Sequence, residues 1–249
     1  MYYSHDMCRM FGLVVEAPVS TQYWMTDCPY PFRSWSDVHR HGWGIGWYEH
    51  GDPSLTKESL TALDSAQFAL TSASAKSQLF MCHLRKATCG EHTEKNTHPF
   101  NYGLWLFAHN GTIDGLYFRS LLTKPHQAAL IGDADSEVYF HWLLQAMERE
   151  GVEGLRRGIR DVREREFTAL NFLLSDGHTL YAYWEQSRTA EPPHSDYYQL
   201  QYAVRSSGQT GIRQVVICSE RLDNDSWVRI PQASLFSVMP DLQVKIAAV

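Results

Sequence analysis

A cysteine leads an apolar run near the amino terminus, at Met7-Cys8-Arg9-Met10-Phe11-Gly12, and the run continues through Leu13, Val14 and Val15. Such a run reads as a strand. If everything through Met7 is removed, Cys8 becomes the first residue and its thiolate lies beside its own α-amino group. An α-amino group has a pKa of ~7.7–8.0, so it is a usable general base at neutral pH. Pairing an N-terminal nucleophile with its own amine is an established activation device. By position alone, a strand cysteine reads equally well as buried filling. Further candidates gather between residues 83 and 137. His83-Leu84-Arg85-Lys86-Ala87-Thr88 closes a strand with a guanidinium and a hydroxyl, and an Arg fixed there offers a planar fork for a carboxylate. His109-Asn110-Gly111 sets a side-chain amide beside a flexible backbone N–H. Two donors aimed at one point make an oxyanion hole, although Asn-Gly is also a common turn. Asp133, Asp135 and Glu137 precede a helical pattern; a carboxylate there caps the helix or reads a ligand's ammonium group.

These residues need elements to hold them. Strands are expected at Cys8–Val15, Gly42–Tyr48, Gln78–Leu84 and Leu104–His109, with a long surface loop from Glu16 to Arg40 and a helix over Leu60–Ser74. Helical spacing marks Asp135–Glu150, with Asp135 as its cap, and Val152–Arg165. Thr168–Ser175 and Thr179–Trp184 flank Asp176-Gly177-His178 as a hairpin. Further strands are expected at Tyr197–Val204, Gln214–Cys218, Leu235–Val238 and Leu242–Ile246. With no repeat or low-complexity linker, the pattern predicts one strand-rich domain, two sheets face to face with helices outside.

The chain has 249 residues, 44% hydrophobic and 20% charged, as in an ordinary globular protein. A net charge of −6 gives no footprint for nucleic acid, and no apolar stretch approaches the ~20 residues that span a bilayer. Residues 1–6 lack the features of a signal peptide. Five scattered cysteines do not form a disulfide framework, which points to the cytoplasm.

Taken in order, Cys behind a Met, then GWGIG, HLRKAT, NTHPF (Asn96 to Phe100), AHNG and DADSE resemble the class-II glutamine amidotransferases of the N-terminal-nucleophile hydrolase superfamily. The stand-alone YafJ-like group, with its γ-glutamyl hydrolases, is the nearer match. The resemblance extends through LNFLLSDG (Leu170 to Gly177) and VVICSERLDNDSWVRIP (Val215 to Pro231). It implies an α+β fold, the four-layer αββα sandwich, over residues 8–249. Residues 1–7 become a start extension or pro-segment absent from the active form. It implies that Cys8 is the nucleophile and its α-amine the base, and that Asn110 and the Gly111 N–H hold the oxyanion. Arg85 would clamp the substrate's α-carboxylate, Thr88 would support it, and Asp135 would bind the α-ammonium group. The implied reaction cleaves the γ-amide of glutamine or a γ-glutamyl compound through a thioester, with no cofactor. A separate ammonia-consuming synthase is a possible partner.

Departures from the family pattern are Lys86 after the Arg, Cys89 after the Thr, and His41 before Gly-Trp-Gly; they bear on pocket shape and leaving group. Two other readings remain. Cys82, His83, Cys89, His92 and His98 could bind zinc, although the paired C-x₂-C spacing of ordinary zinc sites is missing. A chain whose Cys8 stays internal would instead be an inactive, amidotransferase-like binding subunit.

Overall fold

Side chains alternate across a strand, so each strand's sequence states which face is inside. In the computed structural model, which describes residues 8–86, 91–187, 198–206 and 211–249, that alternation sets the layers. The first strand, β1 (Arg9–Val19), puts Phe11, Leu13 and Val15 into one cluster and Met10 and Val14 into another. It is followed by β2 (Trp43–Glu49), β3 (Asp52–Glu58), helix α1 (Ala66–Ser74) and β4 (Ser77–Leu84). Next come β5 (Phe100–Tyr102), β6 (Trp105–Asn110), α2 (Gly115–Leu121), α3 (Lys124–Ala129) and the long α4 (Asp135–Arg163). The remainder is β7 (Asn171–Ser175), β8 (Leu180–Tyr183), β9 (Gln201–Ser206), β10 (Arg213–Cys218), β11 (Val228–Arg229), β12 (Ser234–Val238) and β13 (Val244–Ala248).

The strands form a seven-stranded sheet ordered β11-β9-β10-β1-β4-β2-β3 and a six-stranded sheet ordered β13-β12-β8-β7-β6-β5. Every pairing between them is antiparallel. Met10, Val14, Leu79, Met81, Leu106, Ala108, Leu173 and Ile217 fill the space between the sheets. Phe11, Trp43, Phe80 and Cys82 face outward beneath α1 and the short turns Tyr23–Asp27 and Phe32–Asp37. Phe107, Phe172 and Tyr183 face outward beneath α4. The result is the expected four layers, helix, sheet, sheet, helix. Fully burying each large apolar side chain contributes roughly 1.5–3 kcal/mol, so a truncation in any of these three clusters would be felt.

Several elements differ from the sequence reading. Glu16–Arg40 is not all loop: β1 continues to Val19, and the two turns bury Trp24, Met25 and Phe32 over the outer face. Their apolar side chains outweigh the local prolines. The helix expected from Leu60 begins at Ala66, because the Ser65 hydroxyl accepts the Phe68 N–H at 2.9 Å and caps it there. The residues before it include β3, which returns along β2 through a turn at His50-Gly51. Strand β5 and helices α2 and α3 were not expected; each is too short for periodicity to register. Asp135 is not the cap of α4: Ala134 occupies that position and makes no side-chain cap. Gly151, at φ 59°, breaks α4 at the junction between the two expected helices. Residues 1–7 and residues 87–90, with Thr88 and Cys89, lie outside the described residues, as does most of the expected loop from Gln186.

Candidate active site

Strand parity brings two expected residues, Cys8 and Asn110, to one end of the sandwich together with His83. Cys8 precedes β1 on the parity of Met10, Asn110 ends β6 on the parity of Ala108, and His83 lies in β4 on the parity of Met81. Met10, Ala108 and Met81 all face the space between the sheets, so Cys8, Asn110 and His83 continue that interior to its rim. Cys8 is half-buried there. Its Sγ accepts the Lys86 N–H at 3.1 Å and lies 3.3 Å from the Lys86 carbonyl, to which the thiol can donate. Burial raises the thiol's pKa, while the Lys86 N–H and the charges of Arg85 and Arg9 pull it back. Arg9 donates to the Cys8 carbonyl at 3.2 Å and is ion-paired to Glu220 at 2.7 Å, which fixes the backbone at Cys8.

The Asn110 side chain is buried and reaches across from the second sheet. Its Nδ2 donates to the Cys8 carbonyl at 2.7 Å, and its Oδ1 lies 2.9 Å from His83 Nε2. An amide nitrogen carries two N–H donors. One is used on the Cys8 carbonyl, which leaves the other available beside Cys8. Gly111 follows at φ +137°, a backbone conformation for which side chains are poorly suited. A Cβ on it would lie 1.9 Å from the Ala169 carbonyl oxygen, so only glycine allows the chain to turn past β7 directly after the amide. The same carbonyl is 3.2 Å from Nε2 of His109, whose Nδ1 meets the Ser136 hydroxyl at 2.9 Å. That contact ties the turn to the start of α4.

Arg85 is buried at 3% exposure and held from both sides. Its N–H donates to the Gly42 carbonyl at 2.7 Å, and its own carbonyl accepts the His41 N–H at 3.0 Å. One guanidinium nitrogen donates to the Glu91 carbonyl at 3.0 Å. That carbonyl also accepts from Nδ2 of the fully buried Asn96 at 3.2 Å, and Asn96 bonds the Asp133 carboxylate. Asn96 Oδ1 accepts the Asp133 N–H at 3.1 Å, so one amide couples the guanidinium's support to the segment entering α4. Glu137 secures the same segment by accepting the Ile131 and Gly132 N–H groups at 2.9 and 2.8 Å. Asp135 is half-buried; its Oδ2 accepts the Ile113 N–H at 2.8 Å and its Oδ1 the Ser136 N–H at 2.9 Å. Its carboxylate is thus held against the turn that follows Gly111.

Cys8, Asn110 and Gly111 therefore meet at one strand-end rim, with Arg85 and Asp135 held by loops that Asn96 and Glu137 knit together. Asp133 and Glu137 serve those loops. Sequence reading missed Asn96 as a clamp and His83 as a partner of Asn110. Parity in the Gln78–Leu84 strand carried a signal for His83; nothing local carried one for Asn96, whose partner Asp133 is 37 residues away. The metal reading fares differently. Cys82 and His83 are consecutive in β4 and point to opposite faces, Cys82 into the outer cluster. The His83 and His98 rings pack with centroids 4.2 Å apart, tilted by 42°, and no group of three metal-ligating side chains converges among the described residues. No helix among them is long and apolar enough to cross a membrane.

The model of the glutamine amidotransferases class-II matches residues 7–245. The putative glutamine amidotransferase YafJ of Escherichia coli is 29% identical over 71% of this chain and 72% of its own length. A γ-glutamyl-hercynylcysteine sulfoxide hydrolase of Mycobacterium tuberculosis is 27% identical over 93% of both. An uncharacterised Methanocaldococcus jannaschii protein is 29% identical over 89% of this chain, which spans 66% of it. Among solved structures, a glutamine aminotransferase class-II domain protein from Silicibacter pomeroyi superposes with a TM-score of 0.68 at 22% identity, over 97% of this chain and 99% of its own.

Proposed function

The chain belongs to the class-II glutamine amidotransferases, and from that premise we propose that it hydrolyses the γ-amide of glutamine or of a γ-glutamyl compound, with Cys8 as nucleophile. The observation that carries the reading is the Asn110 amide at 2.7 Å from the Cys8 carbonyl, beside a thiol held by the Lys86 N–H. In this reading Arg85 takes the substrate's α-carboxylate, supported by Thr88, and Asp135 takes its α-ammonium group. Those two charges leave the γ-carbonyl carbon at Sγ. The α-amine of Cys8 accepts the thiol proton as sulfur attacks. The oxyanion is held by the second Asn110 N–H and by the Gly111 N–H. Collapse breaks the C–N bond, and the α-ammonium returns the proton to the departing ammonia or amine. Water, deprotonated by the same amine, opens the γ-glutamyl thioester and releases glutamate. Nothing in the sequence calls for a cofactor.

The mechanism requires the active form to begin at Cys8, since an acylated nitrogen has no basic lone pair. We expect residues 1–7 to be lost from it, leaving 8–249 as the amidotransferase domain. Intact mass of natively expressed protein, paired with assays of forms beginning at Met1 and at Cys8, tests this. A chain shown by mass to retain Met1 yet turning over as fast as one beginning at Cys8 would exclude the amine as base. The reaction itself is tested by glutamate release from glutamine, glutathione and γ-glutamyl dipeptides. Release that is lost in Cys8→Ala is expected. If a chain beginning at Cys8 released none from any of them, the inactive binding-subunit reading would stand instead. A cytoplasmic setting and an ammonia-accepting partner belong to the same proposal, the latter only if ammonia is the preferred leaving group in that screen.

A further inference from the structure

Asparagine can present either end of its amide, and only one end is useful at an oxyanion. The Cys8 carbonyl, 2.7 Å away, is an acceptor alone, so Asn110 must turn its N–H₂ toward Cys8 and its Oδ1 toward His83. A second acceptor opposite Oδ1 would be repulsive, so the His83 Nε2 at 2.9 Å must carry the proton. We propose that His83 is a positioning residue whose Nε2–H, donated to Asn110 Oδ1, holds the Asn110 amide with its nitrogen toward the nucleophile. The inference rests on the proposed hydrolase reading and adds a residue to it.

Three further observations agree. His83 Nδ1 is buried without a hydrogen-bond partner, the position expected of the bare nitrogen in a neutral Nε2–H ring. The ring is fully buried and packed against His98, with ring centroids 4.2 Å apart and planes tilted by 42°, and His98 is itself packed on Phe100. The orientation is thus fixed by packing as well as by the bond. The pair also spans the two sheets: His83 lies in β4, paired with Met10 and Gly44 in the first sheet, while Asn110 ends β6 in the second. The sheet that carries the nucleophile therefore sets the angle of the amide supplied by the other. Burial, with Arg85 and two other histidines nearby, drives the His83 pKa down to about 3. The ring stays neutral across the working pH range, which suits a fixed donor and not a proton-transfer group.

The test compares His83→Leu, His83→Gln, Asn110→Ala and the double variant His83→Leu/Asn110→Ala on whichever substrate wild type hydrolyses. His83→Leu should lower kcat by about 10- to 100-fold with KM little changed, as loss of a transition-state contact does. His83→Gln, whose amide can donate to Oδ1, should recover most of that loss and keep the wild-type pH profile. The double variant should be no slower than Asn110→Ala, because the two groups act as one unit. A readout independent of turnover is the imidazole ¹⁵N spectrum of wild type, where Nε2–H is expected from pH 6 to 8. A wild-type kcat in His83→Leu, an effect confined to KM, or an Nδ1–H tautomer would each overturn the inference. Loss of a pH-profile limb in His83→Gln would overturn it too, by making His83 a proton carrier. If His83→Leu does not fold, His83→Gln and the spectrum still decide. Inactive wild type would refute the hydrolase reading, leaving the tautomer to judge the His83–Asn110 pair alone.

Discussion

At the scale of single residues, charge and donor geometry make separable claims. Arg85 is a buried guanidinium with one corner fixed by the Glu91 carbonyl. Its proposed contact with a substrate carboxylate is charge-assisted and worth about 1.5–3 kcal/mol. Arg85→Ala should therefore lower kcat/KM by roughly 10- to 150-fold, mainly through KM, and steady-state kinetics on the preferred substrate will show it. Arg85→Lys should not rescue, because a point charge cannot reproduce the planar fork. Asn110→Ala is predicted to behave oppositely, depressing kcat by about 10²–10³ with a smaller change in KM. An Asn110→Ala effect seen only in KM would move that amide from the transition state to substrate positioning. These candidates could be named from the chain because HLRKAT, AHNG and DADSE are short and ordered. What such motifs omit is support: Asn96 and Glu137 act through backbone groups of neighbouring loop residues, and side-chain-to-backbone contacts within irregular loops leave no periodic pattern in the sequence.

At the scale of elements, the site depends on how strands end. The turn after β6 is the tightest example, since Gly111 combines a positive φ with the approach to Ala169. Gly111→Ala is predicted to cost more than the ~1–3 kcal/mol of backbone strain alone, because the new methyl must also displace the Ala169 carbonyl just before β7. Urea midpoints should fall, and activity should fall further than stability explains, as the turn carries a proposed oxyanion N–H. Long strands with clear alternation were readable in the sequence: β1, β2, β4, β6 and the β7–β8 hairpin all stand close to their expected spans. Short elements were not. Strand β5 and helices α2 and α3 hold three, seven and six residues, fewer than two full cycles of a helical pattern, and they are fixed by tertiary packing. The Glu16–Arg40 segment misled for a related reason. Its prolines signalled loop, yet Trp24, Met25 and Phe32 are worth more buried than the turns cost to form.

At the scale of the whole molecule, burial of neutral histidines sets a pH response. His83, His109 and His141 are all buried, with pKa values pushed down to about 3, about 4 and about 4, chiefly by desolvation. Unfolded, each returns to ~6.5. Between those limits the unfolded chain binds more protons than the folded one, so stability falls as pH drops through the unfolded value of ~6.5, most steeply near about pH 5 and less so as the folded groups themselves begin to protonate toward pH 4. Well above ~6.5 both states are neutral and these groups contribute no slope. Urea midpoints from pH 7.5 to 4.5 should show the decline, and His141→Gln should flatten it.

The position of β1 has a consequence in time as well as in space. Its partners are β4 and β10, with Phe11 set against Cys82 on one side and Cys218 on the other. The strand that follows Cys8 is translated well before its neighbour β10, from which most of the described elements separate it. Pairings so distant in sequence close slowly, on the order of milliseconds to seconds. A ribosome-bound chain halted before β10 should therefore carry all the proposed catalytic side chains and still lack turnover, with activity arising only once the segment from β10 onward has folded against the first strand.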